Sequence, residues 1–393
     1  MNHPPSGVAT PARTPLPPRS WLGLLGGGQL GRMFAQAAQA LGYRVCVLDP
    51  DRQGPAAAVA DRHIVAAYAD PAGLAELAEL CPAVTTEFEN VPAASLDFLA
   101  ARGIVSPAGA SVAIAQDRIA EKAFVRDCGI ATAPYAEIRS RADLSRCDSF
   151  LFPGILKAAR LGYDGKGQVR VADANEAIRA FESLGEVACV LEKRVDLAAE
   201  ISVLLARGFD GASVVWPVAQ NVHRDGILFT SVIPADMAPA IAERAVSDAR
   251  AIASRMNYVG VLCIEFFVLS DGSVCVNEMA PRPHNSGHWT IDASLTSQFE
   301  QQARVLAGLP LGDTRALAPS VMLNLLGDLW FEHPDSRDPR EPDWARVLAE
   351  LPQAKLHLYG KAEARRGRKM GHLTLVGDDA SEACDRAIAL LGL

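Results

Sequence analysis

Val261-Leu-Cys-Ile-Glu265-Phe-Phe-Val-Leu-Ser-Asp271-Gly272-Ser-Val-Cys-Val-Asn277-Glu278 sets two apolar runs on either side of an Asp-Gly pair. That is the strongest short-range signal for a β-hairpin, because glycine reaches the positive φ that a tight turn needs. If Asp271-Gly272 is a two-residue turn, Ser270 pairs with Ser273. Counting outward, Leu269 pairs with Val274, Phe267 with Val276 and Glu265 with Glu278. The two glutamates then stand opposite one another on one face, with Cβ atoms about 5 Å apart. Like charges so placed destabilise the hairpin unless something compensates. A divalent cation does so, and Mg²⁺ held by one or two carboxylates plus substrate phosphates is the common arrangement. The alternative is an exposed hairpin end where the side chains splay into water, and on the hairpin alone the two readings balance.

The continuation tips that balance. Met279-Ala-Pro-Arg282-Pro-His284-Asn285-Ser286-Gly287-His288-Trp289 packs Arg, two His, Asn and Ser into a proline-stiffened loop beside the glutamates. Each can donate hydrogen bonds to phosphate or carboxylate oxygens. Upstream, Lys157 ends the strand Gly154-Ile-Leu-Lys157, and the loop Gly162-Tyr163-Asp164-Gly165-Lys166-Gly167-Gln168 follows. Glycines and a lysine between two strands make a flap whose backbone N–H groups can close over phosphates. It is not a Walker A loop, since no Ser/Thr follows to open a helix. Further upstream, Gly26-x-Gly28-x-x-Gly31 with Asp49 fits the dinucleotide fingerprint. On its own that motif marks a βα turn able to hold a phosphate, and an ordinary structural turn is nearly as good a reading. It supports a rival, an NAD(P)-dependent oxidoreductase, which leaves the rest of the chain unexplained.

Trp21–Leu25, Arg32–Leu41 and Tyr43–Leu48 read as strand, helix and strand, a βαβ unit. The alternation continues through the strand His63–Val65, the helix Pro71–Leu80 and the strand Ala83–Thr86. The spacing then predicts a helix over Asp117–Asp127, strands at Pro153–Ala159, Gln168–Ala172 and Val187–Glu192, and helices at Asn175–Leu184 and Pro239–Met256. Glu200–Ala206 and Ser213–Pro217 read as antiparallel partners. After Pro310 short strands and loops are expected, with an exposed insertion at Phe331–Asp343. The expected class is α/β, α+β overall. A chain of 393 residues exceeds one ordinary core. The division expected is 1–19 as a disordered proline-rich extension, 20–112, 113–310 with a flap-bearing part at 113–190, and 311–393. With 49% hydrophobic and 21% charged residues and a net charge of −8, a broad basic surface for nucleic acid is not expected. No apolar stretch is long enough to span a bilayer. The eight cysteines are scattered without a Cys-x-x-Cys pair, as reduced, mostly buried thiols of a cytoplasmic protein would be.

Taken together, Lys157, the flap, Glu192-Lys193-Arg194-Val195, Glu200, Glu265 and Asn277-Glu278 resemble the ATP-grasp fold. Gly26-Gly-Gly-Gln-Leu-Gly-Arg-Met33, Thr86-Glu-Phe-Glu-Asn90, Gln116-Asp-Arg118, Pro281-Arg-Pro-His-Asn-Ser-Gly-His288, Tyr359-Gly-Lys361 and Arg368-Lys-Met-Gly-His372 narrow the resemblance. They are similar to the family of 5-(carboxyamino)imidazole ribonucleotide synthases, purine-biosynthesis ligases that use ATP and bicarbonate. The resemblance implies a Rossmann-like pre-ATP-grasp domain, an ATP-grasp domain and a small β-rich C-terminal domain. It implies that Arg118 and Lys157 contact ATP phosphates and that Gly162 to Gln168 close over them. Glu192 to Val195 would hold the adenine edge through backbone groups, Glu200 the ribose, and His223 and Asn277 the rest of the pocket. Glu265 and Glu278 would bind Mg²⁺. Gln29, Leu30 and Glu89 would receive 5-aminoimidazole ribonucleotide, with Lys361 and Arg368 on its phosphate. Arg282, His284, Asn285 and Asp164 would surround bicarbonate and the carboxyphosphate made from it, with Asp164 as acceptor of the amine proton. A cytoplasmic homodimer acting on small molecules, away from nucleic acid and membranes, is implied as well.

Many enzymes of the superfamily carry Asn two residues after the second glutamate; Ala280 stands there, which leaves the ligand set of a second Mg²⁺ open. The nearest rival is a formate-dependent glycinamide ribonucleotide transformylase, whose pattern lacks the flap Tyr-Asp and the Lys-Met-Gly-His ending. A biotin carboxylase would be longer. A catalytically silent nucleotide-binding protein would not need the whole set of glutamates, flap lysine and Arg/His loop.

Overall fold

The computed structural model describes residues 14–162, 167–333, 335, 336 and 338–393. The first sheet is built from β1 (Trp21–Leu25), β2 (Arg44–Leu48), β3 (Arg62–Ile64), β4 (Ala83–Thr86) and β5 (Ile104–Val105). It is parallel throughout, in the order β3-β2-β1-β4-β5. Its central strands are almost continuously apolar because helices cover both faces. These are α1 (Gln29–Ala40), α2 (Pro71–Leu80), α3 (Ala93–Ala100) and α4 (Gly109–Ala115). Asp70 caps α2 by accepting from the Ala72 and Gly73 N–H groups, with Pro71 at the first helical position. Residues 14–19, expected to be disordered, are instead docked. The Leu16 N–H donates to the Ala307 carbonyl at 2.8 Å, and the Leu16 carbonyl accepts from the Tyr43 hydroxyl at 2.9 Å. Two backbone groups satisfied and Leu16 packed on the core outweigh the proline-rich composition.

Next comes α5 (Arg118–Asp127), capped by Asp117, which accepts from the Ile119 and Ala120 N–H groups. A four-stranded antiparallel sheet follows, from β6 (Tyr135–Ile138), β7 (Gly154–Ala158), β8 (Gln168–Val171) and β9 (Cys189–Lys193), ordered β6-β9-β7-β8. The short α6 (Arg141–Ser145) and α7 (Ala174–Ser183) pack on it around Leu156, Phe181 and Leu191.

The largest sheet has nine strands: β10 (Leu197–Arg207), β11 (Ser213–Val215), β12 (Ala219–Arg224), β13 (Ile227–Ile233), β14 (Gly260–Leu269), β15 (Val274–Ala280), β16 (Ser320–Leu326), β17 (Ala354–Leu358) and β18 (Lys369–Val376). Its order is β15-β14-β10-β12-β13-β16-β18-β17, with β11 on β10. The β13–β16 pairing carries the sheet on across residue 310. Along the chain lie α8 (Pro239–Arg255), the one-turn α9 (Thr290–Ala293), α10 (Gln298–Ala307), α11 (Trp344–Glu350) and α12 (Ala380–Leu391). The C-terminal part is therefore less irregular than its sequence suggests: α12 buries Ala380, Ala383, Cys384 and Ala387 against β16 and β18. The described residues of Phe331–Asp343 are largely exposed, as expected of an insertion. Helix α10 joins the parts, because Phe299, Ala303 and Leu306 share one buried cluster with Leu22, Phe34 and Val47 of the first domain.

Candidate active site

The hairpin β14–β15 forms, and Glu265 does stand opposite Glu278. The register between them is not the one counted from a two-residue turn. The Gly272 N–H donates to the Leu269 carbonyl and the Leu269 N–H to the Ser273 carbonyl, so three residues make the turn. Val268, not Leu269, then pairs with Val274, and Phe266, not Phe267, pairs with Val276. A bulge restores the register: Asn277 is the extra residue between the Phe266–Val276 and Glu265–Glu278 pairs. A longer turn and a bulge thus cancel.

The electrostatics of this pair are lopsided. Burial pushes the Glu265 carboxyl up to about 7, and the nearby Glu278 carboxylate adds to the rise. Burial acts on Glu278 as well, but Arg118, with Nη1 2.9 Å from Oε2, outweighs it and holds Glu278 below its usual range. His284 Nε2 lies 3.8 Å from Glu265 Oε1. Burial and the neighbouring Arg282 keep that imidazole well below its ordinary pKa, so it offers no positive charge to the pair.

Behind the pair lies a buried charge triad. Glu192 receives Lys157 Nζ at 3.0 Å and Lys122 Nζ at 3.2 Å. Residues 192–195, expected at the adenine edge, begin on the end of β9, and there the Lys193 and Arg194 N–H groups already donate to the Pro134 and Pro153 carbonyls. Glu200 on β10 and His223 on β12 pair at 2.9 Å. Burial opposes a charge on His223, but Glu200 and Glu265 together raise its pKa. At the flap, Gln168 pairs with Lys157, and the Gly167 carbonyl accepts the Ala158 N–H at 2.8 Å. Tyr163, Asp164, Gly165 and Lys166 lie outside the described residues.

Gln29, Leu30, Glu89, Arg118, Gly162, Glu278, Arg282, His284, Asn285, Lys361 and Arg368, far apart in sequence, line one cavity of about 690 Å³. Arg365, Arg366 and Lys369 line it too. Glu89 and Arg282 face each other as an ion pair, which keeps the Glu89 carboxyl below its usual range against the effect of burial.

At the glycine turn the anion on the helix N-terminus is a side chain. Glu87 accepts the Gly28 N–H at 2.5 Å and the Gly31 N–H at 2.8 Å, filling the N-terminus of α1 with a carboxylate. A Cβ at Gly28 would lie 2.6 Å from Glu87 Oε1, so the glycine is needed for that approach. Asp49 is spent in the same way, on the Gly27 and Asp51 N–H groups and the Tyr68 hydroxyl. Neither group is free to serve a dinucleotide, which removes the support for the oxidoreductase reading.

Sequence reasoning missed Glu87 as a cap, and it missed Glu121 and Lys122. Glu121 is buried, accepts the Met279 N–H at 2.5 Å, and is pushed by burial up to about 8. The available signal was spacing, since both lie three and four residues after Arg118 and share its helix face. Asp292, His357 and His372 also bring one ligand atom each within 4.8 Å. The His357 and His372 rings are stacked only 13° from parallel, however, so their in-plane lone pairs do not converge on one ion.

Paired carboxylates on a hairpin, a glycine flap on a separate antiparallel sheet and a lysine at the flap base define an ATP-grasp enzyme. A family model of the ATP-grasp domain matches residues 123–299, one of the ribonucleotide synthetase preATP-grasp domain residues 20–116, and one of the phosphoribosylaminoimidazole carboxylase C-terminal domain residues 320–386. The N5-carboxyaminoimidazole ribonucleotide synthase of Brucella melitensis is 47% identical over 369 residues, covering 93% of this chain and 98% of its own. That of Bacillus subtilis is 39% identical, covering 93% of each. The Staphylococcus aureus N5-carboxyaminoimidazole synthetase complexed with ADP superposes with a TM-score of 0.88 at 33% identity, over 96% of this chain and 99% of that one. The Aspergillus clavatus enzyme in complex with ADP and 5-aminoimidazole ribonucleotide superposes with a TM-score of 0.85 at 30% identity, over 95% and 99%. The chain belongs to the N5-carboxyaminoimidazole ribonucleotide synthase family and is an ATP-dependent ligase of purine biosynthesis.

Proposed function

We propose that the cavity carboxylates the amine of 5-aminoimidazole ribonucleotide with ATP and bicarbonate, through carboxyphosphate. The observation that carries this reading is the pairing of Glu265 with Glu278 beside a cavity whose lining also includes Lys361, Arg365, Arg366, Arg368 and Lys369. Glu265 and Glu278 are the carboxylates for Mg²⁺, and the fit is favourable. The Glu265 carboxyl is buried opposite Glu278, which raises its pKa, and the buried Asn277 Oδ1 beside them has no hydrogen-bond partner among the described residues. Bound there, Mg²⁺ supplies Lewis-acid neutralisation of charge on the phosphates.

Arg118 and Lys157 bind the ATP phosphates, and residues 162–168 close over them to keep water from a labile acyl phosphate. Residues 192–195 take the adenine and Glu200 the ribose, with His223 holding Glu200 in place. Arg282, freed from Glu89 or shared with it, orients bicarbonate together with His284 and Asn285. Bicarbonate oxygen attacks the γ-phosphorus and ADP leaves; the substrate amine then attacks the carboxyl carbon of carboxyphosphate, inorganic phosphate departs with the electrons of the broken C–O bond, and Asp164 accepts the amine proton. With Glu87 filling the N-terminus of α1, the ribonucleotide phosphate lies against Lys361 and Arg368, and Gln29, Leu30 and Glu89 face its neutral part. The division into 20–112, 113–310 and 311–393, a homodimer and a cytoplasmic location complete the reading. No helix among the described residues is long and apolar enough to cross a membrane.

The test is ADP release with ATP, Mg²⁺ and bicarbonate, with and without 5-aminoimidazole ribonucleotide, against glycinamide ribonucleotide plus formate. Release that needs both bicarbonate and the imidazole substrate is expected. Release only with the glycinamide pair would replace the substrate assignment.

A further inference from the structure

Strand β15, which carries Glu278, lies at the edge of the nine-stranded sheet. An edge strand exposes unpaired backbone groups, and a bulge adds to them. Here those groups are taken up one by one. The Val276 N–H donates to the Ala131 carbonyl at 2.9 Å. The Asn277 carbonyl receives Lys122 Nζ at 3.4 Å, and the Met279 N–H donates to Glu121 Oε1 at 2.5 Å. Between them the Glu278 carboxylate receives Arg118. Arg118, Glu121 and Lys122 are one turn of α5, so one helix face holds the bulge by backbone and side chain together. The same helix is tied to the other wall of the site. The Arg118 N–H donates to the Ala159 carbonyl at the flap base, and Lys122 reaches Glu192, the partner of Lys157.

We propose that Glu121 and Lys122 are positioning residues that fix the Asn277–Met279 backbone and so aim Glu278 at the cation. The proposal rests on the reading of Glu265 and Glu278 as cation carboxylates. In this role Glu121 and Lys122 act through the strand backbone and not as ligands, so their loss would weaken cation binding without removing the chemistry.

The experiment titrates Mg²⁺ against ADP release at saturating ATP, bicarbonate and ribonucleotide, in the full chain and four variants. Half-saturation does not depend on how much of the enzyme is folded, so a partly unstable variant still gives an answer. Glu121→Leu leaves the Met279 N–H without a partner, and its Mg²⁺ half-saturation rises about tenfold with turnover recovered at high Mg²⁺. Glu121→Gln keeps an oxygen acceptor in place and stays within about twofold of the parent. Lys122→Met raises the Mg²⁺ half-saturation and the KM for ATP together, because it cuts both links. Glu278→Gln, the control for the cation reading, loses activity that Mg²⁺ does not restore. If Glu278→Gln is inactive while Glu121→Leu and Lys122→Met keep the parent Mg²⁺ dependence, the positioning role is overturned and the cation reading stands. If Glu278→Gln itself keeps the parent Mg²⁺ dependence, the cation reading falls and takes this inference with it.

Discussion

Lys122→Met removes one cation of a triad in which the side chains of Lys122, Glu192 and Lys157 are 1%, 3% and 8% exposed. At the 3.2 Å separation of Lys122 and Glu192, the bare attraction at an effective dielectric of 20 is about 5 kcal/mol. Breaking a buried pair from one side costs about 3–5 kcal/mol, because the remaining charge stays desolvated. Glu192 keeps Lys157 at 3.0 Å, and the two ammonium groups no longer repel each other. Both effects bring the expected loss down to about 2–3 kcal/mol. Glu192→Gln alone strands two desolvated ammonium groups, and in the Lys122→Met background only one, so the two losses should be less than additive. A coupling of about 1–3 kcal/mol in the double-mutant cycle is expected. Urea unfolding of the ligand-free chain, followed by far-UV circular dichroism, measures each corner. Arg315→Ala breaks an exposed pair with Asp313, 77% and 46% exposed, and should stay within about 0.5 kcal/mol of the parent. A Lys122→Met protein as stable as that control, or an additive cycle, would refute the view that the triad is held by charge rather than by packing.

Three further outcomes follow from the site. Gly28→Ala places a methyl 2.6 Å from Glu87 Oε1, so the carboxylate must move off the N-terminus of α1; steady-state kinetics should show a raised KM for the ribonucleotide with the KM for ATP little changed. Lys361→Ala and Arg368→Ala, on the cationic wall, should raise the ribonucleotide KM by about tenfold each, as loss of a charge-assisted contact of 1.5 kcal/mol or more would. Glu121 bears on stability: its folded pKa is raised from 4.5 to about 8, so it favours folding below 4.5 and loses that contribution as pH climbs to about 8. Glu121→Gln has no proton to lose. Its stability relative to the parent, measured by urea unfolding, should therefore improve between pH 5 and pH 8; a constant difference would count against the buried-acid assignment.

How much of this was legible in the chain differs from residue to residue. The Glu265–Glu278 pairing was, although a three-residue turn and a bulge at Asn277 compensate in a way that no turn dipeptide announces. The helices with clean apolar stripes and caps, such as Pro71–Leu80 behind Asp70, were legible too. Helix α10 was not, because Gln298, Gln301 and Gln302 lie on its buried face and break the apolar period. What makes them tolerable is long-range: Gln302 accepts the Val261 N–H and donates to Thr85 Oγ1, both at 2.7 Å. Glu121 and Lys122 look like a solvated helix face for the same reason, since the strand that buries them lies some 155 residues on. At the glycine turn, sequence could say that an anion meets the helix N-terminus but not whether it belongs to a ligand or to Glu87.

That last distinction decides how a ligand sits. The N-terminus of α1 would attract a phosphate if it were bare, yet Glu87 has already been brought there, with the Glu89 carboxylate close by in sequence and on the same cavity. The same cavity is lined by Lys361, Arg365, Arg366, Arg368 and Lys369. A dinucleotide laid along the glycine turn in the usual way would press its pyrophosphate against Glu87. A ribonucleotide with its phosphate on the cationic wall turns its hydroxyls and amine toward the acids, where carboxylates can accept hydrogen bonds from them. Arg118 stands beside Glu278 and Lys157 beside Glu192. On the proposed reading the substrate amine enters the cavity that Arg118, Glu278 and Arg282 line together, so a carboxyl passed from the γ-phosphate to the amine would have the short path that transfer requires.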